Sequence, residues 1–231
     1  MKVLACLIAP WILSVAGHSE SLEKQLDARA KESAATTPEV VRKQMADGIE
    51  AVRVAGIVEH AKEVGDLAPD FSLRNAKGEM VRLSDLLAKG PVVLTWYRGG
   101  WCPYCNIALN ALQKELPEIK AAGATLVALT PELPDKTLST TEKHSLEFEV
   151  LSDVNHKVAK DYGIVFKLTP EIRDLYKTRF KLTEYNGKEA GDDSLPLAAT
   201  YIVGKNGKRL SGPSLMPTIA NVPSPGRSSP S

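Results

Sequence analysis

The chain has 231 residues, with 29 Lys and Arg against 28 Asp and Glu, so its formal net charge is +1. This balance provides no broad basic surface for phosphates and argues against nucleic acid as a partner. Hydrophobic residues make up 43% and charged residues 25%, a composition that excludes a fibrous or largely disordered protein and leaves room for one catalytic domain with extensions.

The first residues have the features of a targeting segment. Lys2 gives a positive start, and the apolar run Val3–Val15 is followed by small residues. We expect residues 1–17 to be a cleavable signal peptide, which makes the protein periplasmic or secreted, or cytoplasmic if the segment is not a signal. A membrane-anchoring helix is the alternative, although Pro10 interrupts the run, which is shorter than the roughly 20 apolar residues that span a bilayer.

Residues 18–62 predict a helical N-terminal extension. Apolar residues recur at helical spacing on both sides of a break near Thr37-Pro38, so two amphipathic helices fit. Their charged residues are expected to form the solvated face of each helix rather than a binding surface.

From Gly65 onward, short strands and helices are predicted to alternate. A hairpin is centred on Lys77-Gly78, and the apolar run 91–97 is typical of a central strand buried on both faces. An amphipathic helix over 107–121 and a strand over 124–129 complete a parallel βαβ unit. Further elements are predicted at 138–144 (helix), 148–151 (strand), 155–162 (helix ending at Gly163), 171–180 (helix) and 199–203 (strand), with 164–194 otherwise irregular.

The end of the chain predicts a break in this alternation. The turn Asn206-Gly207 favours a hairpin with a strand near Arg209. Serine and proline, however, account for 11 of the 21 residues after Leu210, and we expect a disordered tail over 211–231. A tail in place of the expected hairpin partner leaves one edge of the predicted sheet uncovered, which favours a homodimer or poor stability.

Cys102 and Cys105 lie between the predicted central strand and the long helix, in Trp-Cys-Pro-Tyr-Cys. The thiolate is the nucleophile, and the free amides and positive dipole end of a first helical turn stabilise it. Three-residue spacing places both sulfurs on one side of that turn, within reach of a disulfide. Arg98 adds a positive charge that favours the thiolate or orients a substrate oxygen, unless it is simply an exposed loop arginine.

The cysteine count favours redox exchange over structural bridging. If the signal is removed, Cys6 leaves with it, and a bridge between the remaining two cysteines closes a loop too small to constrain the unfolded chain. A metal-binding accessory protein is a further alternative, because a Cys-x-x-Cys pair with two histidines binds metals. His144 and His156, however, lie far along the chain and lack zinc-finger spacing. No metal or other cofactor is predicted.

Four segments in order resemble the alkyl hydroperoxide reductase and thiol-specific antioxidant (AhpC/TSA) family of the thioredoxin superfamily. They are Gly-Asp-Leu-Ala-Pro-Asp-Phe at 65–71, Trp-Tyr-Arg-Gly-Gly-Trp-Cys-Pro-Tyr-Cys-Asn at 96–106, Leu-Thr-Pro-Glu at 129–132 and Leu-Ser-Asp-Val-Asn-His-Lys-Val-Ala at 151–159. The resemblance implies an α/β thioredoxin fold, a central mixed sheet flanked by helices, over 63–210. It also implies a peroxidase that reduces hydrogen peroxide or organic hydroperoxides and is reset by a thioredoxin-like or other dithiol reductant.

The resemblance also implies roles for the site residues. Aligned on Trp96-Tyr97-Arg98, Cys105 takes the peroxidatic place, Cys102 replaces the family's threonine, and Arg98 stands where proline is usual. Because a thiol is a weaker hydrogen-bonding group than a hydroxyl, we expect the peroxidase efficiency to be affected. Thioredoxin logic makes Cys102 the attacking thiol, so we assign Cys105 to peroxide and Cys102 to disulfides. A protein disulfide oxidoreductase is the alternative function.

Overall fold

The computed structural model describes residues 21–188, 193–205 and 210–211. The predicted signal segment 1–17 lies outside the described residues, as does the predicted tail apart from its first residue. Within the described ranges, no helix combines the length and the hydropathy that crossing a bilayer requires.

The described residues form nine strands, seven of which make one sheet. In chain order they are β1 (Ser72–Asn75), β2 (Met80–Arg82), β3 (Val92–Trp96), β4 (Thr125–Thr130), β5 (Glu149–Ser152), β6 (Val165–Lys167), β7 (Ser194–Pro196), β8 (Thr200–Val203) and β9 (Leu210–Ser211). The large sheet has the order β2-β1-β5-β4-β3-β8-β9, and β6 pairs with β7 separately. The strands β3, β4 and β5 are parallel, whereas β8 and β1 run antiparallel to their neighbours β3 and β5.

Helices cover this sheet, as the predicted fold class requires. They are α1 (Leu22–Thr36), α2 (Glu39–Val54), α3 (Ile57–His60), α4 (Leu83–Leu87), α5 (Pro103–Ala121), α6 (Pro134–Lys143), α7 (Lys157–Asp161), α8 (Pro170–Phe180) and α9 (Leu182–Asn186). The N-terminal helices lie on the domain, since α1 packs against α5 and α2 packs against α8. The mixed sheet with flanking helices confirms the predicted fold class.

Local chemistry explains where the N-terminal helices begin and end. The Ser21 hydroxyl accepts a hydrogen bond from the Lys24 amide at 3.4 Å and caps α1. Thr37 has an extended backbone because the proline that follows it disfavours a helical conformation. The break predicted at Thr37-Pro38 therefore separates α1 from α2.

The central βαβ unit positions the functional residues. Val92, Leu94 and Trp96 of β3 are at most 2% exposed, and burying each such side chain stabilises the fold by about 1.5–3 kcal/mol. Because β3, β4 and β5 are parallel, the loops that follow them emerge at one edge of the sheet, which is the edge where α/β proteins form their sites.

Two regions differ from the sequence prediction. The region 164–194, predicted to be irregular apart from one helix, also contains β6, β7 and α9. These strands are three residues long and pair across about thirty residues of chain, so no local periodicity reveals them. Ser211, assigned to the disordered tail, instead lies in β9 and pairs with Ile202, because the backbone of β8 offers it a partner strand.

Gly163 follows α7 in the chain and packs against the end of α3. Its φ is +71°, and a Cβ there would collide with the backbone oxygen of His60. Gly78 has a similar φ of +86° but open space around it. We therefore expect Gly78→Ala to lower the free energy of unfolding by about 1 kcal/mol through backbone strain. Gly163→Ala should cost about 3 kcal/mol, because overpacking adds to the same strain.

Urea unfolding of the two variants and the unchanged protein measures this difference. Equal losses of unfolding free energy in the two variants would show that the chain around His60 moves to accommodate an added methyl group, contrary to the close packing of Gly163 against His60.

Candidate active site

The loop between β3 and α5 holds the predicted site residues. Three hydrogen bonds shape it: the Tyr97 amide donates to Leu129 O at 3.0 Å, the Cys102 amide donates to Gly99 O at 3.0 Å, and the Asn106 side-chain amide donates to Gly100 O at 2.9 Å. The first bond extends the β3–β4 ladder by one residue, and the other two return the chain into α5.

Both cysteines lie at the start of α5. Cys102 is the N-cap residue, and its sulfur accepts a hydrogen bond from the Cys105 amide at 3.4 Å. Pro103 occupies the first turn, where a missing amide hydrogen costs no helical hydrogen bond. Both cysteines are free thiols in this structure. The sulfur of Cys102 thus takes the place that a serine, threonine or aspartate oxygen takes at other helix starts.

Arg98 contacts the cysteine pair directly. Its Nη2 donates to Cys102 Sγ at 3.2 Å, and its Cζ lies 5.8 Å from the centre of the Trp101 ring. The side chain is half-buried rather than extended into solvent, so the alternative of an exposed loop arginine is wrong. The structure therefore brings Arg98, Cys102 and Cys105 together in one site.

The surroundings of the two sulfurs differ enough to separate their pKa values. Burial by itself raises the pKa of Cys102, but the hydrogen bond from the Cys105 thiol, the Arg98 charge and the Cys105 amide lower it from 9.0 to about 5. The hydrogen bond to Cys102, burial and the Cys102 charge raise the pKa of Cys105 well above its ordinary value. At neutral pH the reduced pair holds one negative charge, on Cys102, and one proton, on Cys105.

A small cavity lies beside Cys105. Cys102 is 1% exposed and Cys105 is 6% exposed. The cavity has a volume of about 30 Å³ and is lined by Cys105 together with residues from β3, the loop, α5 and the segment before β8: Thr95, Trp96, Tyr97, Arg98, Tyr104, Ala108, Leu109, Leu112 and Ala198. This is room for about two water molecules, which is also the size of one hydrogen peroxide molecule.

The tryptophans that flank the pair pack against other aromatic side chains. Trp101 contacts Tyr176 and Phe180 of α8, with ring centroids 5.4 and 5.8 Å apart. Trp96 is 2% exposed and lies 4.7 Å from Tyr162. Trp101 therefore packs between α8 and Arg98, and Arg98 also borders a second cavity of about 40 Å³ that Tyr176 of α8 lines as well.

Glu132 is a site residue that the sequence reasoning did not assign. It is fully buried in the segment after β4, and its carboxylate accepts hydrogen bonds from the Tyr97 hydroxyl at 2.8 Å and the Gly100 amide at 2.9 Å. Burial raises the pKa of Glu132, and these hydrogen bonds oppose that rise. An acidic residue directly after a buried strand, at the edge where the cysteine loop emerges, is the signal that points to it.

The histidines of the metal alternative do not join the cysteines. His144 Nδ1 shares a hydrogen bond with Asn110 Oδ1 at 3.2 Å, on the contact between α6 and α5. Among the described residues, no group of three His, Cys, Asp or Glu side chains is arranged to hold a metal ion.

Known proteins resemble this chain over its central and C-terminal parts. A profile of the AhpC/TSA family matches residues 64–208, more than half of the chain, and confirms the resemblance found in the motifs. Peroxiredoxin Bcp of Escherichia coli K12 is 32% identical over 102 residues, covering 44% of this chain and 65% of that protein. The thiol-disulfide oxidoreductase ResA of Bacillus thuringiensis is 27% identical over 108 residues, covering 46% of this chain and 61% of that protein. The chain thus spans less than two thirds of the length of either relative.

A solved structure shows the same fold. The crystal structure of peroxidoxin BcpB from Mycobacterium tuberculosis aligns with a TM-score of 0.52 and 22% identity, covering 64% of this chain and 82% of that one. At this identity the likeness supports the architecture alone.

The lowered pKa of Cys102 makes the stability of the reduced protein depend on pH. Between about pH 5 and 9 the unfolded chain holds a proton that folded Cys102 has released, so the free energy of unfolding should rise with pH across this window. The contribution is lost as the pH falls to about 5, and one proton gives a slope of at most about 1.4 kcal/mol per pH unit. Urea unfolding with a reductant present, at several pH values in the window, measures the slope.

The disulfide form is the matched control for this measurement. It has no titrating thiol at Cys102 or Cys105 in either state, while every other ionisable group is the same. Identical slopes for the reduced and disulfide forms would show that the pKa of Cys102 is not lowered in the folded protein.

Proposed function

Because the chain belongs to the AhpC/TSA family, we propose that it is a thiol-dependent peroxidase with Cys102 and Cys105 as its redox centre. The observation that carries the proposal is the Arg98 guanidinium 3.2 Å from Cys102 Sγ, at the start of α5 and beside a cavity of peroxide size. A thiol peroxidase needs a thiolate at neutral pH and a site that admits a small molecule. This geometry supports the thiolate at Cys102 and the small-molecule site at the neighbouring Cys105.

In the proposed cycle one oxygen atom passes from the peroxide to a cysteine sulfur, and two electrons pass from an external dithiol to the peroxide. A cysteine sulfur attacks one peroxide oxygen, an S–O bond forms as the O–O bond breaks, and the leaving oxygen takes a proton from solvent to become water or an alcohol. The second thiol then attacks the sulfenic sulfur, which forms the disulfide and releases water. An external dithiol returns two electrons and two protons and becomes a disulfide itself.

The two sulfurs are proposed to have different roles. Cys105 lines the cavity and takes the peroxidatic place in the family alignment, so it is the sulfur that meets peroxide. Cys102 carries the negative charge and accepts the hydrogen bond from the Cys105 thiol, so it receives that proton as Cys105 attacks. Cys102 is then a thiol in contact with the new sulfenic acid, in position to resolve it.

A second candidate function is disulfide exchange with other proteins. The low pKa of Cys102, about 5, is the property of an attacking thiol in a Cys-x-x-Cys oxidoreductase. The similarity to ResA, which is itself a thiol-disulfide oxidoreductase, points the same way. The burial of Cys102 argues against it, because a protein disulfide must reach a sulfur that is 1% exposed.

The reductant and the cellular location extend the proposal. A thioredoxin-like or other dithiol is the proposed reductant, since a disulfide of the pair needs two electrons.

Residues 1–17 are proposed to be a signal peptide that exports the protein, on the strength of Lys2 and the apolar run that follows it. Mass spectrometry of the protein from its own cells should find a mature N-terminus after residue 17. An intact Met1 in the exported fraction, or none exported, would contradict this.

Single cysteine variants test the roles in peroxide reduction. Cys102→Ser keeps a hydroxyl at the helix start and the sulfur at the cavity, so one equivalent of hydrogen peroxide should give a dimedone adduct on Cys105. Cys105→Ser leaves only the Cys102 thiolate, which does not line the cavity. Oxidation of this variant by peroxide should be about a hundredfold slower than oxidation of the unchanged protein. Stopped-flow tryptophan fluorescence measures the rates, and peptide mass spectrometry locates the adduct.

The double variant, with both cysteines replaced by serine, measures background oxidation. An adduct on Cys102 alone would reverse the two roles and leave the peroxidase proposal standing. If neither single variant gives an adduct and the unchanged protein reduces insulin disulfides catalytically, the second candidate function replaces the first.

A further inference from the structure

Glu132 is a buried carboxylate with no part in the cycle proposed above. It is 0% exposed, and each of its carboxylate oxygens accepts hydrogen bonds: Oε2 from the hydroxyls of Tyr97 at 2.8 Å and Thr130 at 3.4 Å, and Oε1 from the Gly100 amide at 2.9 Å and the Thr140 hydroxyl at 3.3 Å. A buried carboxylate is costly unless it is hydrogen-bonded in this way. These four hydrogen bonds fix the Glu132 carboxylate in one position in the fold.

Two of these bonds bracket the residue that contacts the thiolate. The Tyr97 hydroxyl binds one carboxylate oxygen and the Gly100 amide binds the other, and Arg98 lies between these two points in the chain. The Arg98 guanidinium then reaches Cys102 Sγ at 3.2 Å. A single side chain from the β4 edge thus holds both flanks of the segment that presents the positive charge.

The loop needs such an anchor because its own residues provide little. Gly99 has a φ of +148°, and a Cβ at Gly100 would collide with Thr140 Oγ1, so both positions require glycine. Adjacent glycines have no side chains to pack and lose more backbone freedom on ordering than any other residue. Hydrogen bonds to the backbone, rather than side-chain packing, must keep this loop in one conformation.

We infer that Glu132 is a positioning residue for the cysteine pair. Its carboxylate fixes the Tyr97–Gly100 loop and thereby sets where the Arg98 guanidinium meets Cys102. The inference rests on the proposed function only in assuming that the pair is the redox centre. Glu132 makes no hydrogen bond to either sulfur among the described residues, so it acts on the pair through the loop.

Replacement of Glu132 tests the inference through the titration of the thiolate, which is followed by ultraviolet absorbance and by the pH profile of iodoacetamide alkylation. Glu132→Ala leaves the Gly100 amide without its acceptor, and the midpoint for Cys102 should rise by about one pH unit. Glu132→Gln keeps an acceptor oxygen for Gly100, and its amide can donate to the hydroxyls of Tyr97 and Thr130. Its midpoint should stay near that of the unchanged protein.

Two further variants keep the test decisive if the alanine variant fails to fold. Glu132→Asp retains a buried carboxylate that is too short to reach both flanks of the loop, so its midpoint should rise like that of the alanine variant. Asp153→Asn is the matched control, because Asp153 is also buried but caps α7 through the amides of Val158 and Ala159, both at 2.9 Å. It should lose stability without moving the midpoint.

The other groups that face Cys102 are Arg98 and Cys105, and both are unchanged in these variants. A lower midpoint in both the glutamine and the alanine variants would mean that Glu132 acts by its charge. Unmoved midpoints in folded alanine and aspartate variants would make Glu132 merely structural. Either result overturns the inference, and neither depends on peroxide turnover, so failure of the proposed function is seen separately in the oxidation assays.

Discussion

The contact between the Arg98 guanidinium and the Cys102 sulfur is the interaction on which the rest of the site depends. A thiolate that is 1% exposed has lost nearly all of its hydration, and an unpaired charge in such a place is strongly unfavourable. The Arg98 charge, the Cys105 amide and the Cys105 thiol together replace the lost water. Because Cys102 is buried and Arg98 is half-buried, removing Arg98 leaves an uncompensated buried charge and is expected to harm the protein more than the loss of a surface pair.

The fold assembles this contact from separate parts of the chain. The end of β3 delivers Arg98, the start of α5 delivers both sulfurs, and the segment after β4 delivers Glu132, which holds the loop between them. On the outer side, α8 covers Trp101, and the N-terminal extension covers α8 through α2. The extension therefore contributes to the shielding of the site although it carries none of the predicted site residues.

Cys102 stands at the position where the resemblance to the family implies a threonine. At this position the family has a threonine hydroxyl, whereas here a sulfur accepts the hydrogen bond of the helix N-cap. The same sulfur holds the negative charge of the pair and lies next to Cys105, close enough to accept its thiol hydrogen. In the cycle proposed above, the base and the resolving thiol are therefore one residue, and two interacting thiols titrate where one would otherwise titrate alone.

The resemblance of four sequence segments to the AhpC/TSA family implied the fold class. The amino-acid sequence by itself determined the break at Thr37-Pro38, the hairpin at Gly78, the βαβ unit and the position of both cysteines at a helix start. These features depend on local periodicity, turn residues and helix capping, which a short window of sequence contains. Only the tertiary structure decided that Arg98 turns inward, that Glu132 anchors its loop and that β6 pairs with β7. The Glu132 anchor and the β6–β7 pair depend on contacts between residues far apart in the chain. Cys102 is negative only because hydrogen bonds and the Arg98 charge outweigh the effect of burial, and this balance exists only in the folded chain.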